Sequence, residues 1–271
     1  MSRQTNQEKH KNKIKAVAIP TEHGGWGFIM ESILLGLLVA FSSYGLLLAI
    51  SALSGFLLHQ PLKVAAKDRL KGRRYERTAL AEKFALGYGS VMIITFMIVF
   101  FNVDTLFVLP FLVAAPLGVW QLYHSVRNTN RKLMSELFGA TALGSIAPAI
   151  AIIGGYELAP ALLLWLILAA RTIPSILYVR ARLRLEKKQP ATANTWLWSV
   201  HIASVFGVGI FVYIERAPWL AFLAILILMG RMALGLSKYR KPRQTKSIGM
   251  QELAYGVLTV VLVAIGYAES L

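Results

Sequence analysis

"GLLLAISALSGFLLHQPLKVAAKDRLKGRR", residues 45–74, begins with an apolar block from Gly45 to Leu62. Between residues 59 and 74 it ends with six Lys or Arg against one Asp. A helix needs roughly 20 mostly apolar residues to cross the hydrocarbon core, and Lys and Arg collect in the short loops on the inner side of a membrane. The stretch therefore reads as a membrane span ending on the cytoplasmic side. Eight further blocks of the same kind follow from that reading: approximately Gly27 to Ser42, Phe84 to Phe101, Thr105 to Tyr123, Leu137 to Gly155, Leu158 to Leu177, Trp196 to Tyr213, Trp219 to Leu236 and Leu253 to Tyr267. The chain is 56% hydrophobic and only 15% charged, against roughly 25% charged in soluble domains. The expectation is all-α: a polytopic membrane helical bundle of about nine transmembrane helices, with residues 1–19 a basic cytoplasmic segment and 20–271 a single transmembrane domain.

Charge sets the expected orientation. Assigned to the nearest loop, five basic residues precede the first span, and 8, 3, 6 and 6 follow spans two, four, six and eight. That puts 28 of 29 on one side; Arg216 alone falls on the other, with Asp104, Glu157, Glu215 and Glu269. The N-terminus is thus expected in the cytoplasm and the C-terminus outside. The net charge of +16 is first a topology signal, and no soluble basic domain supports nucleic-acid binding. The apolar run after the basic start lacks a small-residue cleavage site, so the first span reads as retained. Cysteine is absent, which excludes disulfides and thiolate metal sites.

The end of span two has an echo. Aligning Pro61 with Pro174 places Lys67 against Arg180 and Arg69 against Arg182, a P-x5-[KR]-x-[KR] pattern repeated 113 residues apart. This spacing predicts a four-helix internal pseudo-repeat. Ser51, Gly55, His59, Lys63 and Lys67 recur every four residues and form one polar stripe; Arg171, Ser175, Tyr178 and Arg182 do the same on span six. Taken singly, Lys67, Lys71, Arg73 and Arg74 read as side chains reaching for the headgroups. His59, Lys63 and Arg171 lie nearer the apolar region, where ionisable groups face a cavity or a partner.

Carboxylates also recur at the inward ends of odd-numbered spans: Glu22, Glu82, Glu136 and Glu252. Each sits where a helix dipole favours negative charge. Glu82 and Glu252 read as dipole-capping residues paired with nearby arginines, whereas Glu136, close to Arg131, stays open between a site role and an ion pair. Glu31 lies about a turn inside span one and Arg231 inside span eight. Each is a site candidate or half of a structural ion pair.

"PTEHGGWGFIMESILLG" and "LHQPLKVAAKDRLKGRRYERT" resemble the YwiC-like family of bacterial integral membrane proteins, most closely in Pro20 to Gly36 and Gln60 to Thr78. That resemblance implies a polytopic inner-membrane protein and no particular activity. Nine helices with special cytoplasmic segments after helices two and six are also distantly similar to the UbiA-type intramembrane prenyltransferases. In that superfamily, Asp-rich motifs at those places hold Mg²⁺ and a prenyl diphosphate. This chain departs from the pattern: Asp68 is the only carboxylate of the first segment before Glu76, and Arg171 to Arg184 contains none. Lys63, Lys67, Arg69, Arg180 and Arg182 stand instead, which suits an anion held directly rather than through metal.

No metal motif is found, and the cofactor is left unknown. The leading expectation is a UbiA-like protein that binds an anionic, phosphate- or diphosphate-bearing lipid or polyprenyl group in a cytoplasm-facing cavity. Lys63, Lys67, Arg69, Arg171, Arg180 and Arg182 would hold the anion, and His59 or Glu31 would act as acid or base. Glu22, His23, Gln60, Asp68, Arg131, Glu136, Tyr178 and Arg231 would support them. Such a protein could transfer or modify a lipid group without metal. The alternative class is a non-catalytic assembly factor with a protein partner, or a small-molecule transporter.

Overall fold

A computed structural model describes residues 14–20, 23–126, 133–189 and 194–269. Among these residues the chain is helical, with one 3-10 turn and no strand. The helices are α1 (His23–Val39), α2 (Ser43–Leu70), α3 (Glu76–Asn102), α4 (Leu109–Val126), α5 (Leu133–Gly144), α6 (Ile146–Ile153), α7 (Leu158–Glu186), α8 (Asn194–Tyr213), α9 (Trp219–Leu236) and α10 (Thr245–Glu269). Eight units are long and apolar enough to cross a membrane when α5 and α6 are taken together, and α1 is a ninth, shorter apolar helix. A polytopic helical bundle is therefore what the apolar blocks build.

Several boundaries differ from the apolar blocks because backbone hydrogen bonding continues past the point where side chains turn polar. α2 runs through Pro61 to Leu70, and α7 through Pro174 to Glu186. α10 begins at Thr245, eight residues before the apolar run at Leu253, so Glu252 is an internal helical residue and not a cap. The fifth span is two helices. Pro148 has no N–H to give the carbonyl of Gly144, and Ser145 bonds back to Ala142 through both its N–H (3.1 Å) and its hydroxyl (2.7 Å). Trp165 of α7 then donates its indole N–H to the carbonyl of Thr141 at 2.8 Å. An interrupted membrane helix needs this kind of outside donor or acceptor at its break.

The 113-residue echo extends to the elements themselves. Shifted by 113, α1 falls on 136–152, against 133–153 for α5 and α6 together; α2 falls on 156–183, against Leu158–Glu186. α3 lands on 189–215 and α4 on 222–239, against Asn194–Tyr213 and Trp219–Leu236. Four helical units thus recur at similar spacing, and α10 follows.

α1 and α6 sit between the two largest packed cores. Leu35, Ala147 and Ala151 pack with α7, α9 and α10 around Leu164, Ile225 and Val263. Ile29, Ile33 and Ile150 pack with α2, α3 and the 3-10 turn around Leu48, Val99 and Phe107. Small residues permit this closeness. A methyl on Gly36 would lie 2.8 Å from Ile150 Cβ, and one on Gly154 would lie 2.5 Å from the Ala40 carbonyl oxygen.

Candidate functional site

Successive spans alternate in direction, so the ends of α2, α4, α7 and α9 gather at one end of the bundle with the starts of α1, α3, α5, α8 and α10. This is the basic end. Two polar assemblies lie there, one inside the bundle and one at its rim.

The inner assembly joins α1, α7, α9 and α10. Glu31 accepts from Arg171 at 2.9 Å, with both side chains almost wholly buried. Arg171 also donates to the backbone carbonyl of Glu252 at 3.0 Å. The Glu252 carboxylate is bound by Arg231, which reaches toward the Ser175 hydroxyl at 3.3 Å. The Arg231 guanidinium lies over the rings of Tyr178 at 4.3 Å and Tyr255 at 5.3 Å, and Arg171 lies 5.7 Å from the Phe28 ring. At 1.5 Å per residue, Glu31, Arg231 and Glu252 are about 8–12 Å along their helices from the basic end.

Glycine makes this closeness possible. A Cβ on Gly256 of α10 would lie only 2.0 Å from Glu31 Oε1 and 2.6 Å from Arg171 Nη2. A Cβ on Gly235 of α9 would lie 2.2 Å from the Tyr178 hydroxyl oxygen. Two cations and two carboxylates balance, as buried charge requires. Nearer the surface, the buried Arg182 pairs with Glu186 at 2.7 Å, donates to the Gly235 carbonyl, and reaches the Lys241 carbonyl at 2.5 Å. It ties α7 to the link between α9 and α10.

The rim assembly is the α2–α3 turn. Buried Asp68 accepts from Arg77 Nε at 3.0 Å, Arg77 Nη2 at 2.6 Å and the Thr78 hydroxyl at 2.8 Å. Thr78 Oγ1 in turn accepts from the Tyr75 N–H at 3.0 Å. Gly72 takes the left-handed conformation, φ +65°, that reverses the chain. Arg69 and Arg74 both reach Glu82, at 2.7 and 2.9 Å, with their side chains 73% and 75% exposed. Arg69, Gly72, Arg73, Arg74 and Glu82 line an open basin of about 350 Å³.

The residues singled out in the sequence therefore divide. Glu31, Arg171, Tyr178 and Arg231 come together inside, whereas Arg69 lies at the rim. Arg180 of α7 pairs with Glu136 of α5 at 2.6 Å. His59, Lys63 and Lys67 are half-buried along α2, and Gln60 donates to the Ala16 carbonyl at 2.9 Å, holding the segment before α1. Glu22 and Arg131 lie outside the described residues, and His23 is placed only by its backbone. Among the described residues, no three His, Asp or Glu come close enough to hold a metal ion. Glu252, read in the sequence as a dipole cap paired with a nearby arginine, is paired with Arg231; Tyr255, Gly256 and Arg77 complete the two assemblies and were not singled out. Arg231, a lone cation in an apolar span, was a further signal that a carboxylate lay nearby.

Residues 19–151 match the family described as YwiC-like protein. No curated protein and no solved structure matches the chain.

Proposed function

From a chain whose residues 19–151 are YwiC-like, folded as a membrane bundle, we propose a multi-pass protein of the bacterial inner membrane that binds an anionic lipid at its basic end. In this reading the N-terminus is cytoplasmic and the C-terminus outside. The observation that carries it is the rim basin, where Arg69, Arg73 and Arg74 face one carboxylate, Glu82. Guanidinium groups bind phosphate oxygens through paired, charge-assisted hydrogen bonds, and basic groups at the membrane surface attract anionic headgroups. Lys63 and Lys67, on the same helix as Arg69, extend the positive surface toward the hydrocarbon. Arg180 and Arg182 are the counterparts of Lys67 and Arg69 in the second half of the chain; each has a carboxylate of its own, Glu136 and Glu186, whereas Arg69 and Arg74 share one, Glu82, which makes the first half the preferred seat.

The experiment is native mass spectrometry of the gently extracted protein, compared with the Arg69→Ala/Arg74→Ala variant. Wild type is expected to retain a phosphate-bearing lipid that the variant releases. Equal lipid retention by both, with equal thermal stability, would refute the assignment of the basin.

A further inference from the structure

The inner assembly has donors to spare. Arg171 and Arg231 are both more than nine-tenths buried. Their Nη groups serve Glu31, Glu252 and Ser175, yet the Nε–H of each has no acceptor among the described residues. A buried guanidinium N–H without an acceptor is disfavoured, and an oxyanion is the acceptor that guanidinium geometry matches best. The network is neutral with both carboxylates ionised, so one more negative charge must be offset.

We propose that Arg171 and Arg231 form a proton-linked anion site. A singly charged oxyanion of the phosphodiester class is held by the two guanidinium groups, and Glu31 takes up one proton as it releases Arg171. The site lies inside the bundle and does not rest on the rim basin. Glu31 is the group that yields because, among the described residues, its ion pair is with Arg171 alone, whereas Glu252 holds Arg231 by its carboxylate and Arg171 by its carbonyl. The charged groups bearing on Glu31 are Arg171 of α7 and Glu252 of α10, with Arg231 of α9 beyond them. Of the other helices packed on α1, α6 carries no titratable residue and α5 carries Glu136, which faces Arg180. α2 carries Asp68 and Arg69, engaged with Arg77 and Glu82, together with Tyr44, His59, Lys63 and Lys67.

The sign follows from proton counting. The anion-bound state carries one proton more than the free state, so affinity rises as pH falls, by about ten-fold per unit wherever Glu31 is ionised in the free protein. The probe is dimethyl phosphate, which stays a monoanion across pH 6 to 8. Isothermal titration of the full-length protein in buffers of different ionisation enthalpy is expected to show one proton taken up per anion bound. Glu31→Gln should bind the probe with no pH dependence, Arg171→Gln should lose the proton-linked binding, and Gly249→Ala, whose added methyl meets nothing within 4 Å, should behave as wild type. Repeating the titration in phosphatidylcholine nanodiscs with and without phosphatidylglycerol identifies the source. Loss of probe binding in the phosphatidylglycerol discs marks a lipid headgroup as occupant, and unchanged binding marks a free anion. Probe binding without proton uptake, absence of binding by wild type, or proton linkage that persists in Glu31→Gln overturns the proposal. The wild-type proton count decides it even if the variants do not fold.

Discussion

Glu31 of α1 and Arg171 of α7 form an ion pair at 2.9 Å with both side chains almost wholly buried. It couples residues 19–151, which match the family model, to the part of the chain beyond them, because Arg171 also holds the Glu252 carbonyl on α10. Breaking one half of such a pair leaves an uncompensated charge, which costs about 3–5 kcal/mol. Arg171→Ala is therefore expected to lower the thermal midpoint sharply in detergent, whereas Glu31→Leu/Arg171→Met should recover most of the loss. A fluorescence melt of the two variants and wild type checks this. A double variant no more stable than Arg171→Ala would show that the pair is not the source of the destabilisation.

Gly256 and Gly249 lie on the same helix and predict opposite outcomes. A methyl on Gly256 collides with Glu31 and Arg171, while one on Gly249 meets nothing within 4 Å. Alanine relieves the intrinsic helix penalty of glycine, about 1 kcal/mol, only where space exists. Gly249→Ala should be neutral or stabilising. Gly256→Ala should destabilise by about 1–3 kcal/mol, the usual cost of overpacking. Parallel melts decide between them, and equal effects would contradict the close approach of α1 and α10.

How much of this was legible depends on which force fixed each feature. The spans could be read because burial in lipid demands long apolar runs, and the echo of Pro61, Lys67 and Arg69 at Pro174, Arg180 and Arg182 goes with helices that recur at the same spacing. Glu31 and Arg231 stood out as lone ionisable residues in apolar segments. Which residue pairs with which did not, because pairing is set by packing across helices: Glu31 meets α7, and Arg231 meets α10. Glu252 read as a helix cap because "TKSIGMQE" looks like a loop, yet that stretch is helical in α10. The lysines and arginines that read as one cage are separated because α2 turns at its end to pack on α3, while α7 packs among α5, α6, α8, α9 and α10.

Asp68 is the anchor of the α2–α3 turn. It accepts three side-chain hydrogen bonds in a buried setting, and bonds to a charged group contribute about 1.5–3 kcal/mol each before non-additivity. Asp68→Asn keeps the size but loses the charge that orients Arg77. The turn around Gly72 is expected to loosen without disturbing the distant inner assembly. Hydrogen exchange should rise in residues 69–79 and stay unchanged in α10. An unchanged turn would mean that Gly72 and the Thr78 bond to Tyr75 suffice to hold it.

The absence of cysteine makes orientation directly measurable, since each introduced thiol is the only one in the chain. Gly72 and Lys188 lie in turns at the basic end, while Asp104 and Glu215 lie in turns at the opposite end. Gly72, Lys188 and Glu215 have positive φ, 65°, 55° and 57°, so replacing any of them tests a strained position. Lys71, Lys187 and Arg216 are their unstrained neighbours and serve better. If Lys and Arg mark the inner side, Lys71→Cys and Lys187→Cys will resist a membrane-impermeant maleimide in intact cells and react after permeabilisation. Asp104→Cys and Arg216→Cys will react in intact cells. Arg216 is the informative case, being the one basic residue assigned to the outer side; its protection would invert the last turns or the whole bundle. Labelling at all four positions in intact cells would contradict a membrane-spanning arrangement with the basic end inside.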